Sequence, residues 1–374
     1  GRTSLIARWG GGTGDGLLLH GHLDVVPAEP ADWTHHPFSG EVADGYVWGR
    51  GAVDMKDFDA MVLSIVRARA RAGYVPERPV VLAFLADEET GGSLGAEWIV
   101  NNHRDLIEDC TVAIGEVGGF STTVRDRRLY MIQTAEKGMA WMRLTARGSA
   151  GHGSHLHPQN TVARLARAVA RLSSYDWPIR LTPTAQVLLA AVADIVGTEA
   201  TPENAESLIE EFGPSARMLG ATLRNTVNPT MLEAGYKLNV VPAQAVAQID
   251  CRMLPGYEDE FYETVAKLVG EDIDIDWTTR LNGVESDMQG HVVDAMQNAL
   301  LAKDPEASVV PFMLSGGTDA KHFSKLGMEC YGYAPLKLPA EFDFNAMFHG
   351  LDERVPLDSV TFGARVLDDF LDRY

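Results

Sequence analysis

Leucine occupies three consecutive positions, 17 to 19, and the chain turns polar directly afterwards, at His20-Gly21-His22-Leu23-Asp24. An apolar run of this kind predicts a short strand covered on both faces, and open α/β sheets keep their ligand sites at the carboxyl ends of such strands. The pattern repeats. Val80 to Leu85 is followed by Asp87-Glu88-Glu89, and Thr111 to Gly115 stops at Glu116. Phe58, Met61, Val62, Ile65 and Val66 recur at helical spacing with Gly73 as terminator, and a second helix is predicted around Leu94 to Asn101. Strands and helices alternating in this way predict an α/β fold, a mixed, mostly parallel sheet with flanking helices. Thr3 to Trp9 reads as one more strand. The glycine-rich stretch Gly10 to Gly16 lacks a phosphate loop's Lys-Ser/Thr ending and leads into a strand, so it is read as a turn.

The period changes near residue 136. Met142, Leu144 and Ala146 alternate with Arg143, Thr145 and Arg147, the pattern of a half-exposed antiparallel strand. A helix with Val162, Leu165, Ala166 and Val169 on one face follows. Further on come a strand near Leu232 to Leu238, one from Ala245 to Arg252, a helix from Glu258 to Val269, and the alternating Ile273, Ile275 and Trp277. The order β-α-β-β-α-β predicts a ferredoxin-like α+β unit. The expected organisation is a catalytic domain in two parts, 1–135 and 284–374, interrupted by a lid and dimerisation domain over 136–283 with a helical insertion at about 180–225. Hinge closure is expected near residues 136 and 283.

With 374 residues, 45% of them apolar, and no run of roughly 20 apolar residues, the composition is globular and predicts no membrane span. A net charge of −20 argues against nucleic acid, which needs a basic stripe. Cys110, Cys251 and Cys330 are odd in number and widely spaced, and read as thiols of a reducing compartment; the expected localisation is cytoplasmic. The chain opens almost directly on a strand, without initiator methionine or leader, and the natural protein is expected to begin earlier.

Against this frame, His22, Asp54, Glu88, Glu89, Glu116 and His349 supply two imidazoles and four carboxylates, mostly after strands or glycine-rich turns. Singly each has an ordinary explanation: Asp54 could cap a helix, Glu88 and Glu89 could be surface acids, and His349 a loop histidine. Ser154 beside His152 raises a serine hydrolase, but the Gly-x-Ser-x-Gly order is missing. Arg252 shares a strand face with Asp250 and is suited to gripping a carboxylate, or the two form a structural pair.

Five blocks stand in order: His20-Gly21-His22-Leu23-Asp24-Val25-Val26-Pro27, Gly49-Arg50-Gly51-Ala52-Val53-Asp54-Met55-Lys56, Asp87-Glu88-Glu89-Thr90-Gly91-Gly92, Gly151-His152-Gly153-Ser154 and His349-Gly350-Leu351-Asp352-Glu353. With Asn239-Val240-Val241-Pro242 and Asp250 to Gly256, the sequence resembles the co-catalytic dizinc peptidases, the family of aminoacylase, glutamate carboxypeptidase and succinyl-diaminopimelate desuccinylase. The resemblance covers essentially the whole chain.

It implies two zinc ions, with cobalt or manganese as substitutes. Asp54 would bridge them; His22 and Glu116 would complete one site, Glu89 and His349 the other. Asp24 would orient His22, and the Asp54–Met55 peptide would be cis. Glu88 would act as general base. His152 would reach the active site of a partner subunit, making the protein a homodimer through the lid. Asn239 and Arg252 would hold the substrate, and Gly317 and Thr318, in a loop that faces the site, would contact it. The expected activity is hydrolysis of the amide bond of an N-acyl amino acid or short peptide with a free carboxylate, the base activating a metal-bridged water. A specialised biosynthetic deacylase, a desuccinylase or deacetylase, and a catalytically silent dimeric binding protein are the competing readings.

Overall fold

The computed structural model describes residues 2–12 and 15–374. Part of the turn expected over Gly10 to Gly16, residues 13 and 14, lies outside them. The leucine strand, Gly16–His22, is central to a nine-stranded sheet and is buried along its whole length. Val80–Leu85 and Cys110–Gly115 run parallel to it on either side, and Glu329–Gly332 extends the parallel set. Leu5–Trp9 closes one edge antiparallel. At the other edge Arg127–Glu136 pairs antiparallel with Phe120–Val124 and Val284–Glu285, and parallel with Ser308–Leu314.

The apolar alternation explains why both faces are covered. Leu17 and Leu19 enter a core with Phe58, Met61 and Ile65 of the helix Lys56–Arg71 and Phe370 of the terminal helix Leu357–Arg373. Leu18, pointing the other way, packs with Ile99 of the helix Ala96–Asn102 and with Phe323. Each buried leucine stabilises the fold by about 1.5–3 kcal/mol relative to exposure, and together they fix where His22 stands.

The second sheet has four antiparallel strands in the order Thr226–Ala234, Gln244–Met253, Gly138–Arg147, Asp274–Leu281. With helices Thr161–Ser173 and Glu258–Val269 on one face, this is the ferredoxin-like order. Its other face carries Met139, Trp141, Asp250 and Arg252, because alternate residues of a strand point to opposite sides.

Three expectations need revision. The strand expected near Leu232 to Leu238 lies at Thr226–Ala234; its residues are mostly exposed, so hydrophobic periodicity mislocated it. In the helix Thr161–Ser173 the buried positions are Thr161, Leu165, Ala168 and Leu172, while Val162 and Ala166 face outward. Small Ala168 allows close approach to the sheet, which a reading by bulk passes over. Third, the helical segment at about 180–225 packs on the nine-stranded sheet. Ala185, Leu188, Leu189 and Val192 of the helix Pro183–Val196 share a core with Phe312 and Leu129, since the smaller sheet's helical face is already taken.

Candidate metal centre

His22 ends the leucine strand, and its Nε2 lies 2.8 Å from Asp54 Oδ1 and 3.6 Å from Glu116 Oε2. Asp54 arrives from the hairpin Glu41–Ala43 and Tyr46–Trp48, just before the helix Lys56–Arg71, through a cis Asp54–Met55 peptide. Its second oxygen, Oδ2, is 3.3 Å from His349 Nε2, which is in turn 3.1 Å from Glu89 Oε2. Asp54 thus stands between two imidazoles, each with a further carboxylate beyond it. Glu88 Oε2 is 4.0 Å from His22 Nε2. Ligand atoms of His22, Glu88 and Glu116, and of His22, Asp54 and Glu89, each fall within 4.8 Å of one another. The first group contains Glu88, the expected base, where the sequence reading has Asp54.

The backbone around these residues is unusual. Asp87, Val117 and His349 all adopt positive φ, at 78°, 55° and 59°. Such conformations cost on the order of 1–3 kcal/mol each for residues with side chains and gather at functional sites. Here they turn the chain next to Glu88, next to Glu116 and at His349 itself, aiming three loops at one point.

The electrostatics of the cluster suit a cation. Burial, reinforced by Glu116 and Asp319, pushes the Glu88 carboxyl well above its ordinary value. Burial likewise raises Glu116 against the pull of His22, and raises Glu89 with help from Asp54. For His22, burial works downward but the Glu116 and Asp54 carboxylates outweigh it and raise the imidazole, the pull of negative charge that a divalent ion would answer. Asp54, opposed by burial, is kept ionised by its bonds to His22 and His349. Acids crowded in a buried space, with imidazole between them, form a donor set that fits zinc or a similar divalent ion.

Asp24 meets His22 through its main chain and not through its carboxylate. The backbone carbonyl of Asp24, at 2.9 Å, accepts from His22 Nδ1, while its carboxylate is 3.8 Å away. That carboxylate instead accepts the backbone N–H groups of Glu88 and Glu89, both at 3.2 Å. One residue therefore orients the imidazole by its main chain and the two glutamates by its side chain.

A cavity of about 500 Å³ opens on the cluster. Asp54, Glu88, Glu89, Glu116 and His349 line it, as do Arg252, Gly317 and Thr318. Arg252 is also clasped by Asp250, Nε to Oδ1 at 2.8 Å and Nη2 to Oδ2 at 3.1 Å, so the structural pair is present on the wall of the cavity. Thr318 is less free than expected, since its N–H and its hydroxyl both donate to Glu136 Oε2. His152 and Asn239 do not line the cavity. They meet across a short ladder, His152 beside Val240, where Gly153 N–H donates to the Asn239 carbonyl, and both are exposed.

Sequence reasoning missed several residues here. Lys321 lines the cavity, buried and ion-paired with Glu136 at 2.8 Å; His322 also lines it, as does Asp319 of the loop already expected to face the site. Met139, Trp141, Met218, Leu281, Leu314 and Phe348 give the cavity an apolar wall. Loop polarity around Thr318 pointed to the first group. Nothing local in sequence pointed to the wall, whose members come from five separate regions.

Comparison with known proteins shows the family. A family model described as peptidase family M20/M25/M40 matches residues 18–373. Succinyl-diaminopimelate desuccinylase of Paracoccus denitrificans is 30% identical, covering 99% of this chain and 86% of that protein. The N-fatty-acyl-amino acid synthase/hydrolase PM20D1 of Xenopus tropicalis is 27% identical over 92% of this chain and 69% of its own. Among solved structures, an M20 family metallo-carboxypeptidase from Sulfolobus solfataricus superposes with a TM-score of 0.72 at 20% identity, covering 98% of this chain and 87% of that one.

Proposed function

The chain belongs to peptidase family M20/M25/M40 and is a metal-dependent amidohydrolase, and from that premise we propose that it cleaves N-acyl amino acids whose acyl group is apolar and whose carboxylate is free. The observation that carries this reading is the composition of the cavity: a carboxylate and imidazole cluster at its floor, an apolar wall of Met139, Trp141, Met218, Leu281, Leu314 and Phe348, and the Arg252 guanidinium at its side. An apolar chain fits the wall, and a guanidinium suits a carboxylate.

Asp54, His22 and Glu116 would hold one zinc ion, and Asp54, Glu89 and His349 the other. Bound there, the ions would lower the pKa of a water and polarise the amide carbonyl. Glu88, whose carboxylate has no hydrogen bond to another side chain among the described residues, takes the proton from the attacking water and passes it to the departing amine nitrogen. Asp24 holds the Glu88 main chain in place for that transfer. Arg252, oriented by its two bonds to Asp250, anchors the free carboxylate, and Gly317 lines the same cavity, its lack of a side chain leaving room for Lys321.

His152 completes the site only from a second copy, so the enzyme works as a homodimer. Leu156, Tyr236 and Leu238, apolar and almost fully exposed, surround His152 and Asn239 in sequence and ladder, which supports a face covered by another subunit.

The test uses the protein as purified, dialysed against chelator and then reconstituted with zinc, cobalt or manganese. Two ions per chain are expected, with hydrolysis of N-acyl amino acids that strengthens as the acyl group becomes more apolar. A metal-replete protein that cleaves no N-acyl amino acid or dipeptide overturns the reading. Preference for an N-succinyl substrate overturns the choice of acyl group and favours the desuccinylase reading.

A further inference from the structure

Two of the sequence blocks contain residues that the proposed chemistry leaves unused, Arg50 in one and Glu353 in the other. They meet. Glu353 is fully buried, at 0% exposure, and its carboxylate accepts four hydrogen bonds. Oε2 receives Arg50 Nη1 at 2.6 Å and the Gly51 N–H at 2.9 Å; Oε1 receives the Val53 N–H at 2.8 Å and the Asp54 N–H at 3.0 Å. The Glu353 carbonyl also accepts the Gly49 N–H, and Arg50 Nη2 donates to the Gly350 carbonyl at 2.8 Å. A three-stranded ladder, Arg354–Pro356 on Tyr46–Trp48 on Glu41–Ala43, backs the junction.

Through these contacts one carboxylate fastens the main chain of Asp54 to the loop that carries His349, nearly three hundred residues further along. Asp54 and His349 are the two side chains that must stand 3.3 Å apart at one half of the cluster. We propose that Glu353 is a positioning residue for that half: it fixes the separation of Asp54 from His349 and thereby sets the affinity of the ion they would share with Glu89. This rests on the reading that these three residues bind metal. An ionised carboxylate is the group suited to the task, because it alone offers enough acceptor sites for a guanidinium and three main-chain donors. Glutamine in its place would offer one acceptor oxygen and would turn an N–H pair toward donors. His22 and Glu116 have no hydrogen bond to Glu353, so the other half of the cluster should feel the change little.

The experiment is calorimetric titration of zinc into the chelator-treated full chain, for wild type, Glu353→Gln, His349→Ala and the double variant. Groups that support metal ligands change affinity by about 10–100-fold when altered. Glu353→Gln is expected to weaken one of two sites by that factor and leave the other within about threefold, while circular dichroism matches wild type. The double variant is expected to bind no more weakly than His349→Ala alone, which identifies the affected site. Equal affinities in Glu353→Gln and wild type overturn the proposal, as does equal weakening of both sites, which marks general loosening. Should Glu353→Gln fail to fold, Arg50→Met is read instead: it leaves three of the four donors, and unchanged affinity at the His349 site overturns the proposal there too. A wild-type chain that takes up fewer than two ions refutes the metal-site reading beneath it.

Discussion

Glu88 and His20 show how burial assigns different work to neighbouring groups. Glu88→Gln keeps the size of the side chain and its main-chain bond to Asp24 but cannot accept a proton. Turnover should fall by about 10²–10⁴-fold, with metal content and substrate affinity retained; undiminished turnover would exclude Glu88 as the base. His20 is the opposite case. It packs against Phe323, ring centroids 4.9 Å apart, and Gly115 leaves room for its ring. Burial, and next the charge on His22, push its imidazole down to about 3. Since an unfolded histidine titrates near 6.5, only the unfolded chain binds a proton between those values. Stability conferred by the neutral ring is therefore complete above about pH 6.5 and is lost toward pH 3, by up to about 1.4 kcal/mol per unit. Urea unfolding at pH 4 and pH 7 should differ less in His20→Asn than in wild type. At this scale the cluster of His22, Asp54, Glu89, Glu116 and His349 was legible because chemistry-bearing side chains are visible in sequence. The split role of Asp24 and the grip of Glu353 were not, because their partners are main-chain N–H and C=O groups that every residue carries.

Among the elements, the strands of the parallel set were legible because an unbroken apolar run has few other uses. The helix Pro183–Val196 was legible as a helix, with Thr182 accepting from the Ala185 N–H and Gly197 at φ 84° ending it, but its partner was not. An apolar stripe states that it will be buried and leaves open against which sheet. Lys137 settles how the segment is attached. Fully buried, its ammonium donates to the carbonyls of Ala221 and Arg224 at 2.9 and 2.8 Å and to Thr226 Oγ1 at 3.3 Å. Lys137→Met keeps the stem and leaves those carbonyls unpaired, so a loss of about 3 kcal/mol is expected from denaturant unfolding. A change under about 0.5 kcal/mol, the size of a neutral surface substitution, would mean that the contacts are replaceable.

At the scale of the whole molecule, His152 stands on an exposed ladder outside the cavity, and in the proposed symmetric dimer each copy would receive the other's histidine. His152→Ala and Glu88→Gln should each be nearly inactive alone. Mixed, unfolded and refolded together, they should recover activity, because a hybrid dimer contains one site with both groups intact. Failure to recover, in a mixture shown by sedimentation to be dimeric, would put His152 outside the reaction. The histidine and its expected service to a partner subunit came from the resemblance; apolar and polar periodicity alone does not tell that it stands outside this chain's own cavity.

Because the helical segment docks on the large sheet, the chain passes between the two sheets four times. The passages lie near 136–138, 177–181, 223–227 and 281–284, between residues assigned to one core and residues assigned to the other. Lys137 fastens the first to the third, the Arg180 N–H to Leu223 carbonyl bond fastens the second to the third, and Met139 pairs with Leu281 across the first and fourth. The smaller sheet with its helices is thus assembled from two separate stretches of chain. It cannot be cut out or exchanged as one cassette: a graft spanning 138–281 would carry away Leu188, Leu189 and Val192 and strip part of the host's own core. A transplant that respects the architecture has to be made in two pieces, with the helical segment left behind.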